Sequence, residues 1–138
     1  MKPFVALTLV VLLSIGGAWV ARADDKPLAI PDSPRIAFIG NTFVERDQQH
    51  GYFETRLITA FPEKDIVFRN LGWSGDTVRG EARAGFGQPI DGFNHLVKQV
   101  GDVDPNLVLL NYGLNESYAG PAGLSSFGSD LNKLLDAL

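Results

Sequence analysis

Cysteine is absent from all 138 residues, which removes thiol nucleophiles, thiolate metal sites and disulfides from consideration. Histidine is almost as scarce: only His50 and His95 remain to ligate a metal, which makes a metalloenzyme reading weak. No block of Lys and Arg occurs anywhere, and the formal charge is −4, a balance that repels phosphate backbones. Nucleic acid is therefore not an expected partner, and no metal or cofactor is implied. Stability has to come from packing.

A long apolar run occurs at the start, in MKPFVALTLVVLLSIGGAWVARADD. Lys2, the uncharged stretch from Phe4 to Val20 and the small-x-small triplet Ala21-Arg22-Ala23 have the layout of a secretory signal peptide over residues 1–23. The competing reading is a retained anchor, because the stretch approaches the ~20 apolar residues that span a bilayer. The small residues sit where a signal peptidase needs them and favour export, which predicts a secreted or periplasmic protein with no membrane contact after cleavage. Cleavage also removes Lys2 and Arg22, leaving the rest more acidic still. Residues 24–34, DDKPLAIPDSP, carry three prolines and read as a tether. Residues 35–138 have the length of one domain.

From Arg35 onward the pattern is regular. Ile36 to Ile39 is an unbroken apolar run, the signature of a strand covered on both faces. Phe53, Leu57 and Phe61 then predict a helix over 51–61, ended by Pro62. Ile66 to Arg69 predicts a second strand. Phe93, Leu96, Val97 and Val100 mark one face of a helix, with Asp91 as its N-cap and Gly101 just past its end. LVLLNY predicts a third strand, and the stripe Phe127, Leu131, Leu134, Leu135 and Leu138 a closing helix. Strand and helix alternate, which implies parallel strands joined by right-handed crossovers. The fold class is α/β.

In an open parallel sheet, ligands bind beyond the carboxyl ends of the strands. The loops there read GNT, NLGWSGDT and YGLNES, rich in glycine, amides, hydroxyls and acids. Stabilising a developing oxyanion requires donors that are already in place, such as a backbone amide at a glycine or an asparagine side chain. Gly75 and Asn115 fit that need, and Thr42 offers a hydroxyl after the first strand.

These segments resemble the opening blocks of the SGNH, or GDSL-like, family of esterases and lipases. Gly40-Asn41-Thr42 stands where the family has Gly-Asp-Ser with its serine nucleophile. Gly75 matches the glycine amide of the second block, and Gly113-Leu114-Asn115-Glu116 matches Gly-x-Asn-Asp, with Asn115 as the amide donor. The resemblance implies a three-layer α/β/α, flavodoxin-like parallel sheet with strand order 2-1-3-4-5, and hydrolysis of a small-molecule or carbohydrate ester, with Thr42, Gly75 and Asn115 as the catalytic set. Two features depart from the family. Threonine replaces serine, adding a methyl that restricts the hydroxyl and crowds an incoming carbonyl. No histidine follows His95, so the family's Asp-x-x-His block has no counterpart here. The sequence reads as the N-terminal portion of such a domain, ending after the third strand and its helix. The rival reading is a non-catalytic binding or assembly module derived from such a hydrolase.

Several residues admit plainer uses. Thr42 could cap the turn or helix that follows it. His50 reads as a solvated residue before a helix, and His95 as one on the polar side of its own. Gly72-Trp73-Ser74-Gly75-Asp76 falls one residue short of G-x-S-x-G, which leaves Ser74 as a turn former beside Gly75. Asp76 and Glu116 could face each other across a sugar as paired carboxylates, but turn-forming acceptors are the commoner use of loop acids. Trp73 is either a stacking surface for substrate or a half-buried lid. The third strand has neither proline nor charge along its apolar run, and its bare edge would be open to pairing with another chain.

Overall fold

The computed structural model describes residues 30–138. The expected signal segment and residues 24–29 of the expected tether lie outside the described residues. Three parallel strands form one sheet in the order β2-β1-β3: β1 Arg35–Gly40, β2 Val67–Asn70 and β3 Leu107–Asn111. Arg35 pairs with Val67 on one side of β1, and Ile36 with Leu107 on the other. Four helices accompany them: α1 Thr42–Asp47, α2 Tyr52–Ala60, α3 Pro89–Val103 and α4 Leu124–Ala137. The chain is thus an α/β fold built on a parallel sheet, with the strand order expected for its first three strands.

The unbroken apolar run of β1 follows from its central position. Successive side chains of a strand point to opposite faces. Ile36 and Phe38 accordingly join Val44 of α1 and Phe68 of β2 in one core, with Leu57 of α2 packed against it. Ala37 and Ile39 face the other way, into a core with Val78, Leu96 and Val100 of α3, and Leu134 of α4. Helices therefore cover both faces. The covering is thinner on the α2 side, where no residue of that helix is fully buried.

Gly40 ends β1 because nothing larger fits. A Cβ there would lie 2.5 Å from the Asn111 carbonyl oxygen and 2.6 Å from Cγ2 of Val44, so the glycine lets β3 and α1 close on the same point. Gly40→Ala is expected to cost about 1–3 kcal/mol through overpacking, read as a lower urea midpoint with an unchanged slope.

The helix boundaries differ from the expected ones for local reasons. Helix α3 begins at Pro89, with Gln88 as N-cap; Asp91 lies three residues inside, its carboxylate accepting the Gln88 N–H at 2.8 Å. Asp91 thus closes the first turn from within rather than capping it. The helix also runs through Gly101, where added side-chain atoms would meet open space, and ends at Asp104, whose φ is 50°. Aspartate tolerates this left-handed conformation, and Arg35 holds it, donating from Nε to the Asp104 carbonyl and from Nη2 to its carboxylate, each at 2.7 Å.

Helix α1 was not visible in the sequence, since six residues are too few to show a helical period. Residues 31–34 of the expected tether contact the domain. Lys64 Nζ reaches the Pro31 carbonyl at 3.0 Å, Asn106 holds the Ser33 carbonyl at 3.0 Å and Val67 N–H bonds to Pro34 at 2.9 Å, so residues 31–34 are docked. Strand β3 is a sheet edge among the described residues, with Leu110 38 % exposed. Among the described residues no helix is long and apolar enough to cross a membrane.

Candidate functional site

The loops after the three strands meet at the carboxyl end of the sheet. Asn41, only 2 % exposed, is the N-cap of α1 and accepts the Phe43 N–H at 3.1 Å. The capping task therefore falls to the asparagine, and the Thr42 hydroxyl is left for other partners. Its oxygen accepts the Gly75 N–H at 2.9 Å and lies 3.3 Å from the Ser74 hydroxyl. Gly75 presents that N–H from a left-handed turn with φ 73°, a conformation that costs glycine little and other residues more.

Asn115 reaches the same turn by a different route. Its Nδ2 donates to the Gly75 carbonyl at 2.8 Å and to the Asp76 carbonyl at 2.9 Å. The three expected site residues are thus linked through Gly75, but the Asn115 amide is spent on the backbone of the turn rather than free beside the hydroxyl. Glu116 completes the bracing: one carboxylate oxygen accepts the Val78 N–H at 2.9 Å and the other the Gly113 N–H at 3.0 Å. This fits the turn-forming use of Glu116 and leaves it unsuited to act as half of an acid–base pair.

Asp76 is committed more deeply. It and Arg83 are both fully buried, with Arg83 Nε donating to Oδ2 of Asp76 at 2.7 Å. The other guanidinium nitrogens donate to Gln99 Oε1 at 2.6 Å and to the Leu71 carbonyl at 2.8 Å. Tyr112 adds its hydroxyl to the same Asp76 oxygen at 3.1 Å, while Oδ1 is buried without a hydrogen-bond partner. Asp76 is therefore a structural anion beneath the Gly75 turn. Arg83 escaped the sequence reading because it belongs to no motif. The signal was there in outline: a buried Asp in a glycine turn needs a cation, and Arg83 follows seven residues on.

Burial, reinforced by the Asp76 charge and opposed by Arg83, holds the Tyr112 phenol well above its usual range. Above pH ~10 the unfolded chain gives up this proton while the folded chain keeps it. Folding then binds the extra proton, so stability falls as pH rises, by up to about 1.4 kcal/mol per unit for this one group. Below that pH the contribution is fully present. Urea midpoints measured from pH ~9 to ~11 should show this decline in the full chain, and Tyr112→Phe should flatten it.

Beside the turn, α1, the end of β2 and α3 enclose a cleft of about 430 Å³, with Trp73 and Ser74 in its wall. Thr42, Gly75 and Asn115 do not line it. The Arg83 guanidinium lies 5.5 Å from the centre of the Trp73 ring, and the His95 ring meets the indole edge-on at 5.9 Å. His95 therefore stands closer to the site than its place on the polar side of α3 suggested. His50 is exposed and stacks on Tyr52 at 5.3 Å. Neither histidine bonds to the Thr42 hydroxyl, whose partners among the described residues are Gly75 and Ser74. Among the described residues no group of three or more His, Cys, Asp or Glu side chains could hold a metal ion.

No protein-family model matches the chain, and no curated protein matches it. Among solved structures it is similar to one described as a gut microbial diltiazem-metabolizing enzyme, with 18 % sequence identity and a TM-score of 0.49. That similarity covers 79 % of this chain and 24 % of the other, so the chain spans about a quarter of that structure's length.

Proposed function

We propose that this chain carries the nucleophile and oxyanion parts of an exported ester hydrolase of SGNH type, acting on small esters that include acylated carbohydrate. The observation that supports this is the 2.9 Å contact between the Gly75 N–H and the Thr42 hydroxyl. Attack by Thr42 Oγ1 on an ester carbonyl forms a tetrahedral centre beside that same amide, which then serves the new oxyanion. Collapse of the intermediate expels the alcohol with a proton and leaves the acyl group on Thr42, and water hydrolyses that ester in a second step. Asn115 orients the Gly75 turn, and one of its two backbone bonds must open before its amide can serve the oxyanion directly. Among the described residues only the Ser74 hydroxyl is placed to accept the Thr42 proton, so this reading expects slow turnover, without the 10²–10⁴ that a positioned base supplies.

The committed Asn115 amide favours a second reading, a binding module that kept the hydrolase scaffold without its chemistry. Hydrolysis of p-nitrophenyl acetate by the full chain, Thr42→Ala and Thr42→Ser separates the two. Activity that Ala abolishes and Ser raises supports the hydrolase. Equal rates at the buffer background for all three would leave only the binding module.

A further inference from the structure

The cleft beside the Gly75 turn has a chemistry of its own. Three carboxamides, Gln48, Asn70 and Gln99, line it together with the indole of Trp73, the hydroxyl of Ser74 and the carboxylate of Glu45. Among the described residues the one cation in its wall is Arg83, which donates to Asp76, Leu71 and Gln99. Asn70 is also committed: its amide donates to the Val44 carbonyl at 2.8 Å, and its oxygen accepts the Gly72 N–H at 2.9 Å. Gln48 is not held in this way. It is exposed, and its amide makes only long contacts, 3.3 Å to Asn70 and 3.4 Å to the Gly72 carbonyl, which a ligand hydroxyl can replace at little cost.

These features select a class of ligand. An anion would meet the Glu45 carboxylate, which is only loosely paired with Arg46 at 3.4 Å, and among the described residues would find no uncommitted cation in the wall. A hydrocarbon would desolvate the carboxamides without compensating them. A neutral polyol avoids both penalties, because amides donate and accept alike and hydroxyls need both. The indole, 38 % exposed, adds an apolar surface with a polar edge, suited to the C–H face of a sugar ring. The volume lies within the range of small-molecule sites.

We propose that this cleft binds the sugar portion of the substrate, with the ester placed at its Ser74 end. Ser74 lines the cleft and lies 3.3 Å from the Thr42 hydroxyl, so an acyl group on a sugar seated here projects toward that hydroxyl. The placement of the ester rests on Thr42 being the nucleophile position; the binding of the sugar does not.

The test uses the full chain carrying Trp19→Phe, which leaves Trp73 as the single tryptophan. Its emission is titrated with xylobiose, cellobiose and N,N′-diacetylchitobiose, and with inorganic phosphate. The expected result is a saturable change at millimolar concentration for at least one disaccharide and none for phosphate. Gln48→Ala should weaken that binding tenfold or more, whereas Gln49→Ala, one residue away and outside the cleft, should leave it unchanged. Absence of saturation with every disaccharide, saturation unmoved by Gln48→Ala, or saturation by phosphate would each overturn the proposal. Hydrolysis of acetylated xylobiose and of p-nitrophenyl acetate is measured alongside. Sugar binding without hydrolysis of either ester would sink the hydrolase reading and leave the cleft assignment standing; aryl ester hydrolysis without sugar binding would do the reverse.

Discussion

Arg83→Met is expected to cost about 3–5 kcal/mol of stability, the usual penalty for removing one partner of a buried ion pair. Both side chains of the pair are inaccessible to solvent, so the abandoned Asp76 carboxylate has no water to turn to. Its only remaining side-chain donor among the described residues is the Tyr112 hydroxyl. Methionine keeps much of the volume of the arginine stem, which keeps the effect electrostatic rather than steric. A domain with a total stability of about 5–15 kcal/mol would lose much of it. The double variant Asp76→Asn with Arg83→Met should recover part of the loss, since the neutral amide is far cheaper to leave buried than the ion. Urea denaturation of the three forms gives the comparison. A single-variant cost below about 1 kcal/mol, the level of an exposed pair, would show that the pair does not hold the turn.

The second large effect concerns Thr42. In enzymes with a complete triad, loss of the nucleophile costs about 10⁶ in rate. Among the described residues no histidine or carboxylate bonds to the Thr42 hydroxyl, so on the proposed reading Thr42→Ala lacks the 10²–10⁴ of a general base to remove. A loss of about 10²-fold in p-nitrophenyl acetate hydrolysis is expected on that reasoning. Thr42→Ser should move the other way. Deleting the methyl relieves rotamer restriction of order 0.5–1.5 kcal/mol, which corresponds to a gain of about 2- to 10-fold. The direction of the serine variant carries the argument, because an unspecific surface reaction would not respond to a single methyl.

The parts of this fold that were legible in the sequence are those written in local pattern. The run Ile36 to Ile39 announced a strand covered twice, and each of its residues lies in one of the two cores. Phe93, Leu96, Val97 and Val100 announced α3. The three polar loops were expected to come together beyond the carboxyl ends of the strands, and Thr42, Gly75 and Asn115 are linked around one turn. What could not be read depends on partners distant in the chain. Nothing in the spacing of Asn115 says that its amide will be consumed by two carbonyls forty residues away, and nothing in Arg83 says that it will be buried. Helix α1 was hidden by its brevity. The start of α3 was hard to read because Asp91 is a better capping residue by preference than Gln88, even though Pro89 occupies the first helical position.

The carboxylate of Glu116 bridges Val78 and Gly113, so the amides of Gly75 and Asn115 ride together on one braced platform. Thr42 opens α1, which is tied to the neighbouring loop by the Asn70 amide on the Val44 carbonyl at 2.8 Å, and just before it the Gly40 carbonyl accepts the Trp73 N–H at 3.0 Å. The spacing between the Thr42 hydroxyl and the Gly75 amide is therefore held from both sides, and a substitution at Asn70 or at Glu116 would be felt there although neither side chain bonds to Thr42.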